Sequence, residues 1–320
     1  MGALPSPTVS RPAAASARPF EGVARRLPCA DGGEIFLLET QAQGPRRAEV
    51  VLVPPFGRSV HDLFIFSYYL RANGFQVVRF DPRNHVGLGS GDIEDFRLSQ
   101  LERDLEGVVA ARRDPCLPLI LLGTSLSAPV VIRFAARHRE VAGAVTLVGV
   151  VDVPETLERA TGQSIRPYRE PGDHGAPYQT LFGYRVSAQG FVDDMDRHGY
   201  GSFTDSLADA RAIETPVHLV ASTNDEYVDF AKVRELASAL RDGSQLMVLE
   251  DASHELGRSL GATRQAMALV TKLCLSTLPG GEACYVAPKL TEMIEASSVE
   301  SRHLAALSDG DTAQVTGAVP

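Results

Sequence analysis

The sequence predicts an α/β protein in which a mostly parallel sheet is covered by helices on both faces. Three observations lead to this prediction: short apolar runs alternate with helical patterns, the alternation extends over most of the chain, and the runs are apolar at nearly every position. Runs of that kind are typical of parallel strands, because helices bury both faces of a parallel sheet.

The predicted elements follow one another in a regular order after an opening hairpin. The β-type runs 23–27 and 34–39 flank Ala30-Asp31-Gly32-Gly33, a sequence typical of a hairpin turn. Later strands are predicted where a short apolar run ends at Gly, Pro or a polar loop, and helices where apolar residues recur at helical spacing. These strands are 50–53, 75–80, 117–122, 141–151, 216–221 and 245–249, and the helices are 61–72, 98–112, 127–138, 227–240 and 258–278.

One interruption and two tails set the predicted domain organisation. Residues 154–200 contain scattered Pro, Gly, Tyr and Phe with weak helical patterns, which indicates an insertion laid over the sheet. We therefore predict one domain at residues 21–280, with a cap insertion at about 152–205. Residues 1–20 and the stretch from about Ser297 to Pro320 contain few large apolar residues, so we predict a disordered N-terminal tail at 1–20 and a poorly ordered C-terminal tail at 281–320.

Composition excludes several classes of function. With 320 residues, 44% of them hydrophobic and 22% charged, the chain has the make-up of an ordinary globular protein. A formal net charge of −9 without a basic stripe argues against a nucleic-acid partner. No apolar run approaches the ~20 residues that a membrane span needs. Cys29, Cys116, Cys274 and Cys284 lack C-x-x-C spacing, which fits free thiols in a reducing cytoplasm.

The stretch 119–130 contains the strongest candidate for a catalytic residue. An apolar run ends at Gly123, Ser125 follows two residues later, and small residues lead into a helical pattern. This is the layout of a nucleophile elbow, G-x-S-x-G, except that Ser127 takes the place of the second glycine. Serine is small enough to permit the close backbone approach that the turn requires. The competing interpretation is a strand end followed by a helix-capping serine, which is common in α/β proteins.

An elbow serine needs two partners further along the chain, first an acid and then a histidine. The acid is expected after a late strand, where Asp225 stands with Glu226 and Asp229 as alternatives. The histidine is expected after the last strand, where His254 stands. Its imidazole would take the proton of Ser125, and the carboxylate would orient that imidazole. Together with the opening hairpin and the inserted cap, this order predicts the α/β-hydrolase fold.

Acyl transfer also requires backbone N–H groups directed at the oxyanion. One is expected from Leu126, the residue that follows the candidate nucleophile. The other is expected from the loop after the first parallel strand, in which Pro54 and Pro55 have no N–H to donate. Phe56 and Gly57 both remain as candidate donors.

Two further features predict local structure rather than a bound cofactor. The run Gly87-Leu88-Gly89-Ser90-Gly91 lacks the G-x-G-x-x-G spacing of a dinucleotide loop and resembles the D-x-R-G-x-G-x-S turn of many hydrolases. His85, His174 and His198 are too scattered to form a metal site. We therefore expect neither a cofactor nor a metal.

Several motifs occur together in an unusual combination. They are Phe66-Ser67-Tyr68-Tyr69-Leu70-Arg71-Ala72-Asn73-Gly74-Phe75-Gln76-Val77-Val78-Arg79-Phe80-Asp81, His85-Val86-Gly87-Leu88-Gly89-Ser90-Gly91, Ser125-Leu126-Ser127-Ala128, Asn224-Asp225 and Ser253-His254-Glu255-Leu256. Over residues 50–271 the chain resembles the acyl-transferase component of bacterial luminescence, the fatty-acyl thioesterase that supplies a fatty-acid reductase complex. That family also has a serine in place of the second elbow glycine.

The resemblance implies a triad of Ser125, Asp225 and His254, and it favours Asp225 over Asp229. It implies transfer of a fatty or polyketide-like acyl chain from an acyl-carrier protein or acyl-CoA thioester to the serine. The chain then passes to water or to a downstream acyl-accepting enzyme. The oxyanion loop departs from the family pattern, as does Pro129, which stands where the family has a basic residue. Luminescence itself is therefore not implied.

Two other functions fit the same residues. A Ser-Asp-His triad also serves carboxylesterases, lactonases and C–C hydrolases, because the fold hosts many reactions. A hydrolase scaffold without activity would only bind a hydrophobic ligand. The complete Ser-Asp-His set favours an enzyme.

Overall fold

The computed structural model describes residues 22–112, 114–170, 177–250, 252–280 and 285–308, so the predicted N-terminal tail lies outside the described residues. The strands are β1 (Gly22–Pro28), β2 (Glu34–Thr40), β3 (Ala48–Val53), β4 (Phe75–Asp81), β5 (Leu119–Thr124), β6 (Val141–Leu147), β7 (Tyr178–Leu181), β8 (Tyr184–Ser187), β9 (Val217–Ser222) and β10 (Leu246–Leu249). The helices are α1 (Phe64–Ala72), α2 (Leu98–Ala110), α3 (Ala128–Arg137), α4 (Val153–Thr161), α5 (Ala188–Arg197), α6 (Phe203–Ala212), α7 (Phe230–Ala239), α8 (Leu260–Ser276) and α9 (Leu290–Ser308). None of these described helices combines the length and the apolar character needed to cross a membrane.

Eight of the described strands form one sheet, in the order β1-β2-β4-β3-β5-β6-β9-β10. The opening hairpin β1–β2 is antiparallel, and β2 pairs antiparallel with β4. The remaining strands of this sheet run parallel to one another: β4, β3, β5, β6, β9 and β10. The prediction of a mostly parallel sheet is confirmed. The carboxyl ends of the parallel strands share one edge of the sheet, and ligands of such folds bind at that edge.

Helices cover both faces of the sheet, because neighbouring residues of a strand point to opposite faces. On one face, Val50 of β3 and Ile120 of β5 belong to a core that includes side chains of α1 and α8. On the other face, Val51 and Leu121 belong to a core that includes side chains of α2 and α3. All four are fully buried, which explains why these strands are apolar at successive positions.

The predicted interruption of the alternation falls between β6 and β9, where the chain forms α4, the hairpin β7–β8, α5 and α6. The hairpin turns at Phe182 and Gly183, whose φ values of 47° and 87° are both positive, as in the two-residue turns that join such strands. The sequence indicates weak helices in this segment but not the hairpin, since each of its strands has only four residues.

The strand predicted at 141–151 is shorter in the structure and ends at Leu147. Val148 has a φ of 42°, which lies outside the region that strands occupy. Beyond this bend, the Val150 N–H donates to the carbonyl oxygen of Ser125 at 3.0 Å. The end of β6 is therefore part of the support around the candidate nucleophile.

The prediction of a poorly ordered tail over 281–320 is wrong where α9 forms. Glu300 of this helix makes a bidentate ion pair with Arg79 of β4, with both N–O distances at 2.7 Å and both side chains buried. The sequence does not reveal this contact, because a single acidic residue whose partner lies far away in the sheet gives no local signal. The tail beyond residue 308 lies outside the described residues.

Glu300→Ala is expected to lower the free energy of unfolding by about 3–5 kcal/mol, because Arg79 would remain charged and buried without its partner. Urea unfolding measures this loss. Glu295→Ala, at an exposed glutamate of the same helix, should change the free energy by no more than about 0.5 kcal/mol. Equal, small losses in both variants would contradict an α9 anchored through the Arg79 ion pair.

Candidate active site

Ser125 lies at the turn between β5 and α3, at the carboxyl edge of the parallel strands. Its backbone has a φ of 52°, in the left-handed region that residues other than glycine rarely adopt. Such a conformation costs about 1–3 kcal/mol and persists only where the surrounding structure imposes it. This turn is the sharp strand-to-helix bend expected of a nucleophile elbow.

Gly123 and Ser127 occupy the two positions of the elbow where the backbones approach closely. A Cβ atom at Gly123 would lie 2.7 Å from Cγ2 of Val131, so β5 and α3 leave no room for a side chain there. Oγ of Ser127 accepts a hydrogen bond from the Thr124 N–H at 2.9 Å and lies 3.0 Å from the carbonyl oxygen of Val53. Ser127 therefore joins the elbow to β3, which is a structural role.

Ser125, Asp225 and His254 lie within hydrogen-bonding distance in series. Oγ of Ser125 is 2.7 Å from Nε2 of His254, and Nδ1 of His254 is 2.8 Å and 3.0 Å from the two carboxylate oxygens of Asp225. Because a carboxylate only accepts, Nδ1 carries the proton and Nε2 accepts from the serine hydroxyl. The structure thus brings together the three residues that the sequence predicts as a triad.

Backbone donors hold the carboxylate of Asp225 in place. Its Oδ1 accepts hydrogen bonds from the N–H groups of Tyr227 at 2.9 Å and Val228 at 3.1 Å. The side chains of Asp225 and His254 are 3% and 6% exposed, so water does not compete for the bond between them. The orientation of the imidazole is therefore fixed before any ligand binds.

The two alternatives to Asp225 have other partners. Glu226 accepts a hydrogen bond from the main-chain N–H of His254 at 3.0 Å, so it fixes the histidine's backbone rather than its ring. Asp229 caps α7 by accepting from the Ala231 N–H at 2.8 Å. Of these acids, Asp225 is the one whose carboxylate contacts the imidazole.

The backbone amides predicted to face an oxyanion differ in whether they already donate a hydrogen bond within the chain. Within the described residues, the N–H groups of Leu126 and Phe56 donate no hydrogen bond to the rest of the chain. The Gly57 N–H donates to Nε2 of His85 at 3.1 Å. Of the two loop amides that the sequence leaves open, that of Phe56 is therefore the one available to a substrate.

A cavity of about 890 Å³ is lined by Ser125 and His254. Exposed side chains, among them Arg58 and Arg258, line its outer part. Away from Phe56, Thr124 and His254, its buried lining is apolar and comes from the residue before α1, the end of β6 and α8: Leu63, Leu147, Val148 and Met267. An apolar interior with few polar groups is typical of a site for a small organic ligand.

The cap hairpin β7–β8 covers the imidazole. The ring of Phe182 is parallel to that of His254, with 6.3 Å between centroids, and the ring of Tyr227 meets His254 edge-on at 5.2 Å. The hydroxyl of Tyr184 donates to the carbonyl oxygen of Gly57 at 3.3 Å. Sequence reasoning misses Phe182 and Tyr184, because their turn lacks the Asn-Gly or Asp-Gly pair that marks most two-residue hairpins.

The glycine-rich loop after β4 packs around a carboxylate. Asp81 accepts a hydrogen bond from the Leu88 N–H at 2.8 Å, and a Cβ atom at Gly87 would lie 2.2 Å from its Oδ2. Close approach to Asp81 therefore accounts for the glycine. Over the described residues, no three His, Cys, Asp or Glu side chains are grouped to hold a metal ion, and His174 and Cys284 lie outside those residues.

A protein-family model described as acyl transferase matches residues 26–302 of this chain. The acyl transferase of Vibrio campbellii is 28% identical over 294 residues, which cover 89% of this chain and 94% of that protein. These similarities confirm the resemblance shown by the sequence motifs.

Solved structures share the fold at lower sequence identity. Est1E of Butyrivibrio proteoclasticus, with ferulic acid bound, has a TM-score of 0.62 at 15% identity and covers 79% of this chain and 99% of its own. The alpha/beta hydrolase GrgF of Penicillium has a TM-score of 0.55 at 19% identity and covers 77% of this chain and 99% of its own. The predicted α/β-hydrolase fold is confirmed.

Burial sets the charge of His85. It lowers the pKa of the imidazole from its ordinary value of 6.5 to about 4, so the folded protein keeps it neutral where the unfolded chain takes up a proton. The stability that results is complete above the unfolded pKa of 6.5 and is lost as the pH falls towards the folded value.

His85→Gln removes this titration. From about pH 7.5 to about pH 5, we expect the unfolding free energy of the wild type, minus that of the variant, to fall by about 2 kcal/mol. Denaturant unfolding at both pH values measures the difference. Burial raises the pKa of Asp81 to about 6, but Asp81 titrates in both proteins, so its contribution cancels in the difference between them. A difference independent of pH would contradict a buried neutral His85.

Proposed function

Because this chain belongs to the acyl transferase family, we propose that it is a serine-dependent acyl-thioester hydrolase or acyltransferase. Its family supports acyl transfer or hydrolysis as the class of reaction. The observation that supports the serine mechanism is the hydrogen-bonded series Ser125–His254–Asp225 beside a cavity with an apolar interior. The motif resemblance supports a fatty or polyketide-like chain carried as a thioester.

In the first half of the proposed reaction, the hydroxyl of Ser125 attacks the thioester carbonyl carbon while Nε2 of His254 takes its proton. The carboxylate of Asp225 stabilises the imidazolium that forms. The N–H groups of Leu126 and Phe56 stabilise the negative charge on the carbonyl oxygen. When the tetrahedral intermediate collapses, His254 protonates the leaving thiol and the acyl group remains on the serine.

In the second half, an acceptor replaces the thiol and His254 takes the acceptor's proton. Water as acceptor releases a free acid, whereas a nucleophile of a downstream enzyme receives the chain. We propose an acyl-carrier protein or acyl-CoA as the donor, and a cytoplasmic location, because both donors are cytoplasmic molecules.

The cavity offers the acyl chain a place next to the serine. Leu63, which directly precedes α1, and Met267 of α8 are nearly inaccessible to solvent, at 4% and 3%, yet both line the cavity that contains Ser125. An acyl chain attached to Ser125 would bury its methylenes between these helices, at about 0.8 kcal/mol for each methylene. We therefore propose that the chain lies between α1 and α8.

Ser125→Ala is expected to lower kcat for thiol release from acyl-CoA by at least about 10⁴-fold, because no nucleophile remains. A thiol-reactive dye follows the reaction. Ser238→Ala, at an exposed serine of α7, should keep the wild-type rate. A wild-type rate in Ser125→Ala would overturn the serine mechanism.

Comparison with p-nitrophenyl esters of equal chain length, whose cleavage is followed by the absorbance of nitrophenolate, separates the substrate classes. Thioesters should have the higher kcat/KM. Preference for the oxygen esters would favour a carboxylesterase that uses the same triad.

Met267→Trp is expected to shorten the preferred acyl chain, because the larger ring fills the part of the cavity between α1 and α8. We expect the ratio of kcat/KM for a long-chain acyl-CoA to that for butyryl-CoA to fall at least about tenfold, since even one methylene in an apolar pocket is worth that much. Gln265→Trp, exposed on the same helix, should leave the ratio unchanged. Equal losses for both chain lengths in Met267→Trp would argue against this location.

A further inference from the structure

The loop that carries the Phe56 amide has little to fix it from within. Pro54 and Pro55 have no N–H to bond, and Gly57 has a φ of 75°, a conformation that favours glycine. A backbone donor stabilises a developing oxyanion only if it is held in place before the reaction. The Phe56 amide therefore depends on neighbours that hold this loop.

His85 supplies one such contact. The Gly57 N–H donates to its Nε2 at 3.1 Å. Since an N–H only donates, Nε2 is the unprotonated nitrogen, and the neutral ring carries its proton on Nδ1. The ring is buried, so its Nδ1 is shielded from water. Burial lowers the pKa of His85 to about 4, so the acceptor persists at neutral pH.

Asp81 fixes the loop of His85 against the loop of Gly57. Its Oδ1 accepts from the Val60 N–H at 2.7 Å, and its Oδ2 accepts from the Leu88 N–H at 2.8 Å. Val60 follows Gly57 in one loop and Leu88 follows His85 in the other. The buried carboxylate thus joins the two loops and keeps the imidazole within reach of the Gly57 amide.

Aromatic rings restrict the imidazole and the loop further. Phe56 meets His85 edge-on with 6.0 Å between ring centroids, and Phe96 lies 5.5 Å from it. The Tyr184 ring of the cap hairpin occupies the space that a Cβ atom at Gly57 would need, only 2.5 Å from it. The Gly57 peptide is therefore held by His85 and confined by the cap.

We propose that His85 is a positioning residue of the acyl-transfer site. By accepting the Gly57 N–H, it holds the loop so that the preceding N–H, that of Phe56, faces the oxyanion formed on attack by Ser125. This inference rests on the proposed function, because it assumes an oxyanion at Ser125. It differs from a packing role for His85, which would require only the shape of the ring.

The test compares His85→Leu, which removes the acceptor, with His85→Gln, whose side-chain oxygen replaces Nε2. Single-turnover formation of acyl-serine is measured with an acyl-CoA and with a p-nitrophenyl ester, together with KM. We expect His85→Leu to lower the acylation rate about 10²-fold with KM nearly unchanged, as expected for a misplaced oxyanion donor. His85→Gln should restore the rate to within about fivefold of the wild type.

Binding of an acyl trifluoromethyl ketone gives a readout that lost packing alone would not change. Its tetrahedral adduct with Ser125 carries an oxyanion, so its affinity should fall in His85→Leu by the same factor as the acylation rate. His218→Leu is the matched control: His218 is buried in β9, and its ring nitrogens have no hydrogen-bond partner among the described residues. It should leave the acylation rate and the affinity for the ketone unchanged.

Two results would overturn the proposal: an unchanged acylation rate in His85→Leu, or a loss in His85→Gln as large as that in His85→Leu. A wild-type protein that forms acyl-serine from the ester but not from acyl-CoA would contradict the proposed substrate class alone. The ester and ketone comparisons would then still decide on His85. A wild type that forms acyl-serine from neither substrate would contradict both proposals.

Discussion

The left-handed backbone of Ser125 is the constraint on which the site depends. A φ of 52° is unfavourable for a serine, so contacts with β5, α3 and β3 are needed to stabilise the turn. Gly123 permits the close packing of strand and helix, Ser127 bonds to β3, and the Val150 N–H binds the Ser125 carbonyl. The serine hydroxyl then lies where the other parallel strands end.

The parallel sheet brings the remaining groups to that edge from distant parts of the chain. Asp225 follows β9, which pairs with β6, and His254 follows β10, which pairs with β9 at the edge of the sheet. Phe56 follows β3 on the other side of β5, and His85 follows β4 beyond it. Hydrogen bonds hold Asp225 and His254, and the bond from Gly57 to His85 holds the loop of Phe56. The site is therefore ordered before a substrate arrives, as electrostatic stabilisation of a transition state requires.

Much of this could be predicted, because it depends on chain order and local pattern. The sheet follows from apolar runs, and Ser125 and His254 follow from the order in which an elbow serine meets its partners. That order leaves Asp225 with two alternatives, Glu226 and Asp229, and the family resemblance favours Asp225 over Asp229. Three features depend on contacts between distant residues and leave no local signal: the Arg79–Glu300 pair that anchors α9, the cap hairpin, and the bond from Gly57 to His85. The bond from Gly57 to His85 also identifies Phe56 as the available oxyanion donor. The sequence could not distinguish Phe56 from Gly57, since both residues carry an N–H.

In the proposed mechanism, Ser125 carries the acyl group during the reaction. The most direct test of this step is intact-mass spectrometry of the protein quenched in acid shortly after mixing with an acyl-CoA, followed by peptide mapping. We expect a mass increase equal to one acyl group, located on the peptide that contains Ser125. Turnover without any acylated protein, or acylation at a residue other than Ser125, would contradict it.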